Sequence, residues 1–171
     1  MTNTKSRFTK WLFSGTPGAV MLITLVNLIA YCLFYVPAIY SDDWSEVVGH
    51  SLTGNLKWLD LTNRRPLFGI PRLIEYNLFG LNIQAYYIFL WLLHLIPAIL
   101  VYAIANQFSF MRRHAFSLVI ALLVLVFPTN YTNMWLTMVH IYFTATLTLL
   151  YALFLLRFAR GGHAATLVLA L

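Results

Sequence analysis

Residues 83–105 read IQAYYIFLWLLHLIPAILVYAIA, 23 consecutive positions without a charge. As an α-helix this stretch is about 34 Å long, enough to cross the roughly 30 Å hydrocarbon core of a bilayer. A buried helix of a soluble protein can be equally apolar, so the surrounding composition decides between the two. Hydrophobic residues fill 61% of the 171 positions and charged residues 9%, where an ordinary soluble domain carries about 25% charged. A water-soluble chain of this size could not cover its surface with so few charges. The sequence therefore predicts an all-α membrane protein.

Outward from that run, further apolar stretches cover about 18–40, 115–133 and 136–156, and another begins at 164 and stops at 171. Four transmembrane helices plus the start of a fifth are expected, forming one helical domain over 18–171 behind a short tail, 1–17. The first run is expected to be a retained helix rather than a signal peptide. Ala19 to Tyr40 is longer than the roughly 7–15 residues of a signal core, and no small-residue cleavage site follows. The final run, Ala164 to Leu171, would rise only about 12 Å as a helix, so the chain is expected to end inside a span, as the amino-terminal part of a longer polytopic protein. Pro97 is expected to kink the second span. The one cysteine, Cys32, lies in an apolar run and excludes an intrachain disulfide or a cysteine metal cluster.

The net charge of +6 does not point to nucleic acid, because the basic residues sit in short clusters between apolar runs. Lys5, Arg7 and Lys10 precede the first run, Arg112 and Arg113 the third, and Arg157 and Arg160 close the fourth. If the helices alternate, these seven share one side, and the positive-inside rule makes that side cytoplasmic. The amino terminus is then cytoplasmic, and the outer face carries the 41–82 loop and the 128–135 loop.

Polar chemistry concentrates on that outer face. Ser41-Asp42-Asp43-Trp44 stands where the first helix leaves the membrane. Adjacent carboxylates raise one another's pKa, suiting a general base toward an acceptor hydroxyl, and they can also bind a hard divalent cation through oxygen. The structural alternative is a helix start, with Asp43 as N-cap and Glu46 three residues on. Next comes Asn63-Arg64-Arg65-Pro66-Leu67, whose guanidinium forks suit phosphate oxygens, with Arg72 close by. Pairing of these cations with Asp60 and Glu75 is the local alternative. From Pro71 to Phe79 the sequence reads as a short helix lying in the interface, with Trp58, Tyr76 and Phe79 suited to that depth. Tyr131, Asn133 and Trp135 could stack on a sugar and hydrogen-bond its hydroxyls, or form an ordinary aromatic belt. His140 falls about one turn inside the outer end of the fourth span and could line a cavity, with an interhelical hydrogen bond as the structural alternative. His94, deep in the second, reads as an interhelical hydrogen-bond partner. Gly-rich phosphate loops, zinc-ligand spacings and nucleophile elbows are lacking.

Asp42-Asp43 at the end of a first transmembrane helix, followed by a long outer loop with Arg64-Arg65-Pro66-Leu67, resembles polytopic GT-C type glycosyltransferases, in particular bacterial GtrII-like and protein-mannosyltransferase-like members. The resemblance covers the chain as topology and rests at residue level on Asp42, Asp43, Arg64, Arg65 and Pro66. It implies a bacterial inner-membrane enzyme that takes a sugar from a polyprenyl-phosphate-linked donor and passes it to an extracytoplasmic acceptor. Asp42 or Asp43 would be the catalytic base. Arg64, Arg65 or Arg72 would hold the donor phosphate, and Tyr131, Asn133, Trp135 and His140 stand where acceptor or sugar contacts are expected. Some members use a divalent cation and others do not. Many carry an acidic residue in the second outer loop, and 128–135 has none, which leaves no dedicated metal ligand to name. The expected partners are membrane lipid and the lipid-linked donor, with no nucleic acid. The alternative from another class is a non-catalytic transporter, flippase-like or structural segment whose outer arginines bind anionic lipid.

Overall fold

The computed structural model describes residues 15–34, 69–108, 114–126 and 139–161. All regular structure among them is helical: α1 (Thr16–Phe34), α2 (Gly69–Phe79), α3 (Ile83–Ala105), α4 (His114–Val126) and α5 (Val139–Ala159). The helix limits follow local chemistry. Gly80 takes a φ of 54°, a left-handed conformation that glycine adopts without the steric cost of a Cβ. Its N–H closes the last turn of α2 onto the Tyr76 carbonyl at 3.0 Å. Three residues later α3 is under way, with the Asn82 side chain accepting the Ala85 N–H at 3.3 Å as an N-cap. The Tyr86 hydroxyl donates to the Gly80 carbonyl at 2.8 Å. Phe79 meets Tyr86 and Phe89 edge-on, with ring centroids 5.4 and 5.7 Å apart. α2 and α3 therefore form one tightly tied helical hairpin.

The remaining helices alternate in direction. Asn27 of α1 reaches Trp91 and His94 of α3, and Tyr31 meets the Trp91 ring. Ala19, nearer the start of α1, packs in a cluster with Ala98 and Tyr102, nearer the end of α3. α1 and α3 are thus antiparallel. The Tyr102 hydroxyl bonds the ring of His114 at 3.1 Å, so α4 starts where α3 ends and runs back along α1 and α3. Val139 packs with Tyr86, Tyr87 and Leu90 near the start of α3, while Arg160 donates to Gln107 at 3.0 Å beyond its end. α5 therefore runs parallel to α3. One end of the bundle gathers the start of α1, the start of α4 and the ends of α3 and α5. The other gathers α2 with the start of α3 and α5.

Small side chains let three helices meet closely. Ala19, Ala98 and Ala121, one each from α1, α3 and α4, are all fully buried in a single cluster with Ile23, Leu95, Tyr102, Leu118 and Leu125. Compact residues at such contacts bring backbones together and raise dispersion contacts. A second, aromatic cluster of Tyr86, Tyr87, Leu90, Leu93, Val139 and Tyr142 fills the opposite end. Outward faces carry aliphatic residues at helical spacing, such as Ile88, Leu92 and Ile96 on α3 and Phe116, Val119 and Leu123 on α4.

α3, at 23 residues, and α5, at 21, are long and apolar enough to cross a membrane. α1 and α4 are apolar but shorter over the residues whose side chains are described. α4 covers 13 residues, about 20 Å, against the expected 115–133. The limits of α3 coincide with the apolar run, and the helix continues through Pro97. The short helix expected from Pro71 begins two residues earlier, at Gly69, because proline is tolerated in a first turn where its missing N–H is not needed. Residues 35–68, 127–138 and 162–171 lie outside the described residues. So do the ends expected for the first and third spans, and the whole run 164–171.

Candidate functional site

Among the expected site residues, Arg72 and His140 are described. Asp42, Asp43, Arg64, Arg65, Tyr131, Asn133 and Trp135 lie outside the described residues. Arg72 sits in the first half of α2, and its Nη1 donates to Glu75 Oε2 at 2.8 Å, one turn along the same helix. Both side chains are buried, at 4% and 0% exposure. The local pairing with Glu75 that the sequence left open is therefore formed. A carboxylate at this distance offsets the charge that Arg72 would offer an anion, and Coulomb attraction is strong where water is excluded. His140, half-buried, stands at the second described position of α5. Because α2 packs on both α3 and α5, Arg72 and His140 belong to the same end of the bundle.

A second polar arrangement lies deeper, between α1 and α3. Asn27, itself buried, donates from Nδ2 to the Trp91 carbonyl at 3.3 Å. A carbonyl only accepts, so Oδ1 is the atom left to face His94 Nδ1 at 3.0 Å. His94 must then carry its proton on Nδ1 and present a lone pair at Nε2. That nitrogen and the Trp91 indole N–H are buried without a hydrogen-bond partner among the described residues. The Tyr142 ring meets His94 edge-on at 5.1 Å, bringing α5 to the same place. The expected interhelical hydrogen bond of His94 is present. Its partner is Asn27, for which the sequence signal is an asparagine inside an apolar run, since buried amides need partners. Among the described residues no three His, Cys, Asp or Glu side chains come together in a set able to hold a metal ion.

The described part of α1 ends at Phe34 and α2 begins at Gly69, while α4 runs toward the same end and the described part of α5 begins at Val139. Both connections, 35–68 and 127–138, thus attach to the end that holds Arg72, Glu75 and His140. The opposite end holds His114, Arg157 and Arg160.

No protein-family model, no curated protein and no solved structure matches this chain.

Proposed function

We propose that the chain is part of a polytopic membrane glycosyltransferase, its amino terminus cytoplasmic, transferring a sugar from a polyprenyl-phosphate-linked donor to an extracytoplasmic acceptor. The observation that carries this reading is the shared anchorage of the two polar connections. Phe34 and Gly69, which flank the segment with Asp42, Asp43, Arg64 and Arg65, and Val126 and Val139, which flank the segment with Tyr131, Asn133 and Trp135, all lie toward the end opposite Arg157 and Arg160. The positive-inside rule then assigns the end with Arg157 and Arg160 to the cytoplasm, and on this reading α1 and α4 join α3 and α5 as four alternating spans. On this reading Asp42 or Asp43 removes the acceptor proton, and the acceptor oxygen attacks the anomeric carbon. The bond from that carbon to the phosphate oxygen breaks as the attack proceeds. Arg64 and Arg65 hold the departing phosphate by charge-assisted hydrogen bonds. Arg72, already paired with Glu75, contributes by holding its helix at that end.

The test is sugar transfer by the full-length protein in membrane vesicles, with Asp42→Ala and Asp43→Ala made separately. Loss of a positioned general base costs about 10²–10⁴-fold in rate, so at least one variant should lose transfer by that factor while inserting normally. Unchanged transfer by both variants would sink the catalytic assignment. If no transfer is measurable but anionic lipid is retained through Arg64 and Arg65, the non-catalytic reading replaces it.

A further inference from the structure

α2 is built inside-out for a helix on the surface of a water-soluble protein. Its inward arc carries Pro71, Arg72 and Glu75, all buried, with Glu75 at 0% exposure. Its outward arc carries Ile70, Ile74, Asn77 and Leu78, with Leu78 at 67%, and Leu81 continues that apolar line beyond the helix. Ile70, Ile74 and Leu78 recur at four-residue spacing and so form one stripe pointing away from the bundle. In water the opposite arrangement is favoured, with aliphatics against the core and charges outside. A helix that turns its ion pair toward protein and its aliphatics outward matches an environment with nothing to hydrate the charges.

We propose that α2 is seated in the hydrocarbon of the membrane, its Ile70–Ile74–Leu78 stripe against lipid acyl chains, and that Arg72–Glu75 is an intramembrane ion pair facing the helix bundle. The stripe does not stand alone. α2 is tied by three residues to α3, whose own outward line of Ile88, Leu92 and Ile96 is apolar over a length able to cross a bilayer. Lipid is the occupant because α3 and α2 present outward surfaces of the same aliphatic kind. This inference rests on the membrane part of the proposed function and is independent of the transferase part.

Nitroxide labels on the full chain in vesicles of phosphatidylcholine with phosphatidylglycerol test it. Labels are placed by Ile74→Cys and Leu78→Cys on α2 and by Ile88→Cys on α3, each with Cys32→Ala to leave one thiol. Collision with oxygen, which concentrates in acyl chains, is compared with collision with a water-soluble nickel chelate. The expected result is that oxygen dominates at both α2 sites, as at Ile88. Nickel dominating at α2 while oxygen dominates at Ile88 overturns the seating of α2 and leaves the membrane reading standing. Nickel dominating at all three overturns both. If neither reagent reaches the α2 sites, protein covers the stripe, either a second copy or another segment, and the lipid assignment is wrong. Using two α2 positions keeps the test decisive if one variant fails to insert.

Discussion

Replacing Glu75 by leucine should separate a buried ion pair from a surface one. The pair spans one turn of α2, with Nη1 and Oε2 2.8 Å apart and both side chains almost wholly hidden. On an exposed helix an i,i+3 or i,i+4 pair is worth about 0.3–0.5 kcal/mol, and many surface pairs contribute nothing measurable. Burial changes both the size and the asymmetry of the effect. Glu75→Leu leaves the Arg72 guanidinium without its carboxylate where water cannot reach it, and breaking a buried pair in this way costs about 3–5 kcal/mol. Since each 1.4 kcal/mol is a tenfold change in the folded ratio, the variant should lose about two to three and a half decades in that ratio. Arg72→Met should lose a similar amount. The double variant Arg72→Met with Glu75→Leu removes both charges and keeps the volume, and should recover most of the loss. The assay is reversible unfolding of the full chain from mixed micelles by increasing denaturing detergent, followed by tryptophan fluorescence, for all four members of the cycle. A Glu75→Leu loss below about 1 kcal/mol, or additive losses in the double variant, would refute the buried pairing.

Three further outcomes follow from other contacts. Asn27→Leu deprives the His94 Nδ1–H of its acceptor, so it should cost about 1–3 kcal/mol in the same unfolding assay, and the His94 nitrogen spectrum should show a second tautomer; a spectrum unchanged from the parent contradicts the assignment. Gly80→Ala meets no atom within 4 Å of the added Cβ, so only the φ of 54° opposes it. A loss of about 1–2 kcal/mol is expected, with Gly80→Asn losing less, and equal losses would point to a cause other than backbone conformation. Ala121→Leu places three extra carbons where α1, α3 and α4 meet, and should cost about 1–3 kcal/mol or more by overpacking, measured as a lower unfolding midpoint; Leu123→Ala on the outward face of α4 should change it far less.

Legibility in the sequence divided along physical lines. α3 was readable to its ends because a long charge-free run and a capping asparagine coincide at residue 82. α2 was readable as a helix, but its facing was not. A reading based on interfacial depth attends to Tyr76 and Phe79, whereas the structure turns on Arg72 and Glu75 pointing inward. Where helices are apolar all round, as α3 and α5 nearly are, hydrophobic periodicity carries little information about which faces meet. Facing is then set by a few small or polar positions, here Ala19, Ala98, Ala121, Asn27 and His94, whose partners lie far apart in sequence. His94 announced a partner without naming it, and only the antiparallel placement of α1 brings Asn27, 67 positions away, to its ring. Of the candidate site, Asp42, Asp43, Arg64 and Arg65 rest on their chemistry in the sequence, and they lie outside the described residues.

If α2 is seated in the bilayer as proposed, the Arg72–Glu75 contact bears on how it enters. An ionised side chain at the centre of an inserting helix is penalised by roughly 2.5–3.5 kcal/mol on insertion scales. A pair drawn from two distant helices would carry that penalty until the helices met. Here donor and acceptor are three residues apart on one helix, so they can neutralise one another as soon as a single turn of α2 forms, before α5 has been synthesised. With α3 only three residues downstream, the hairpin can partition as one unit whose two charges already cancel.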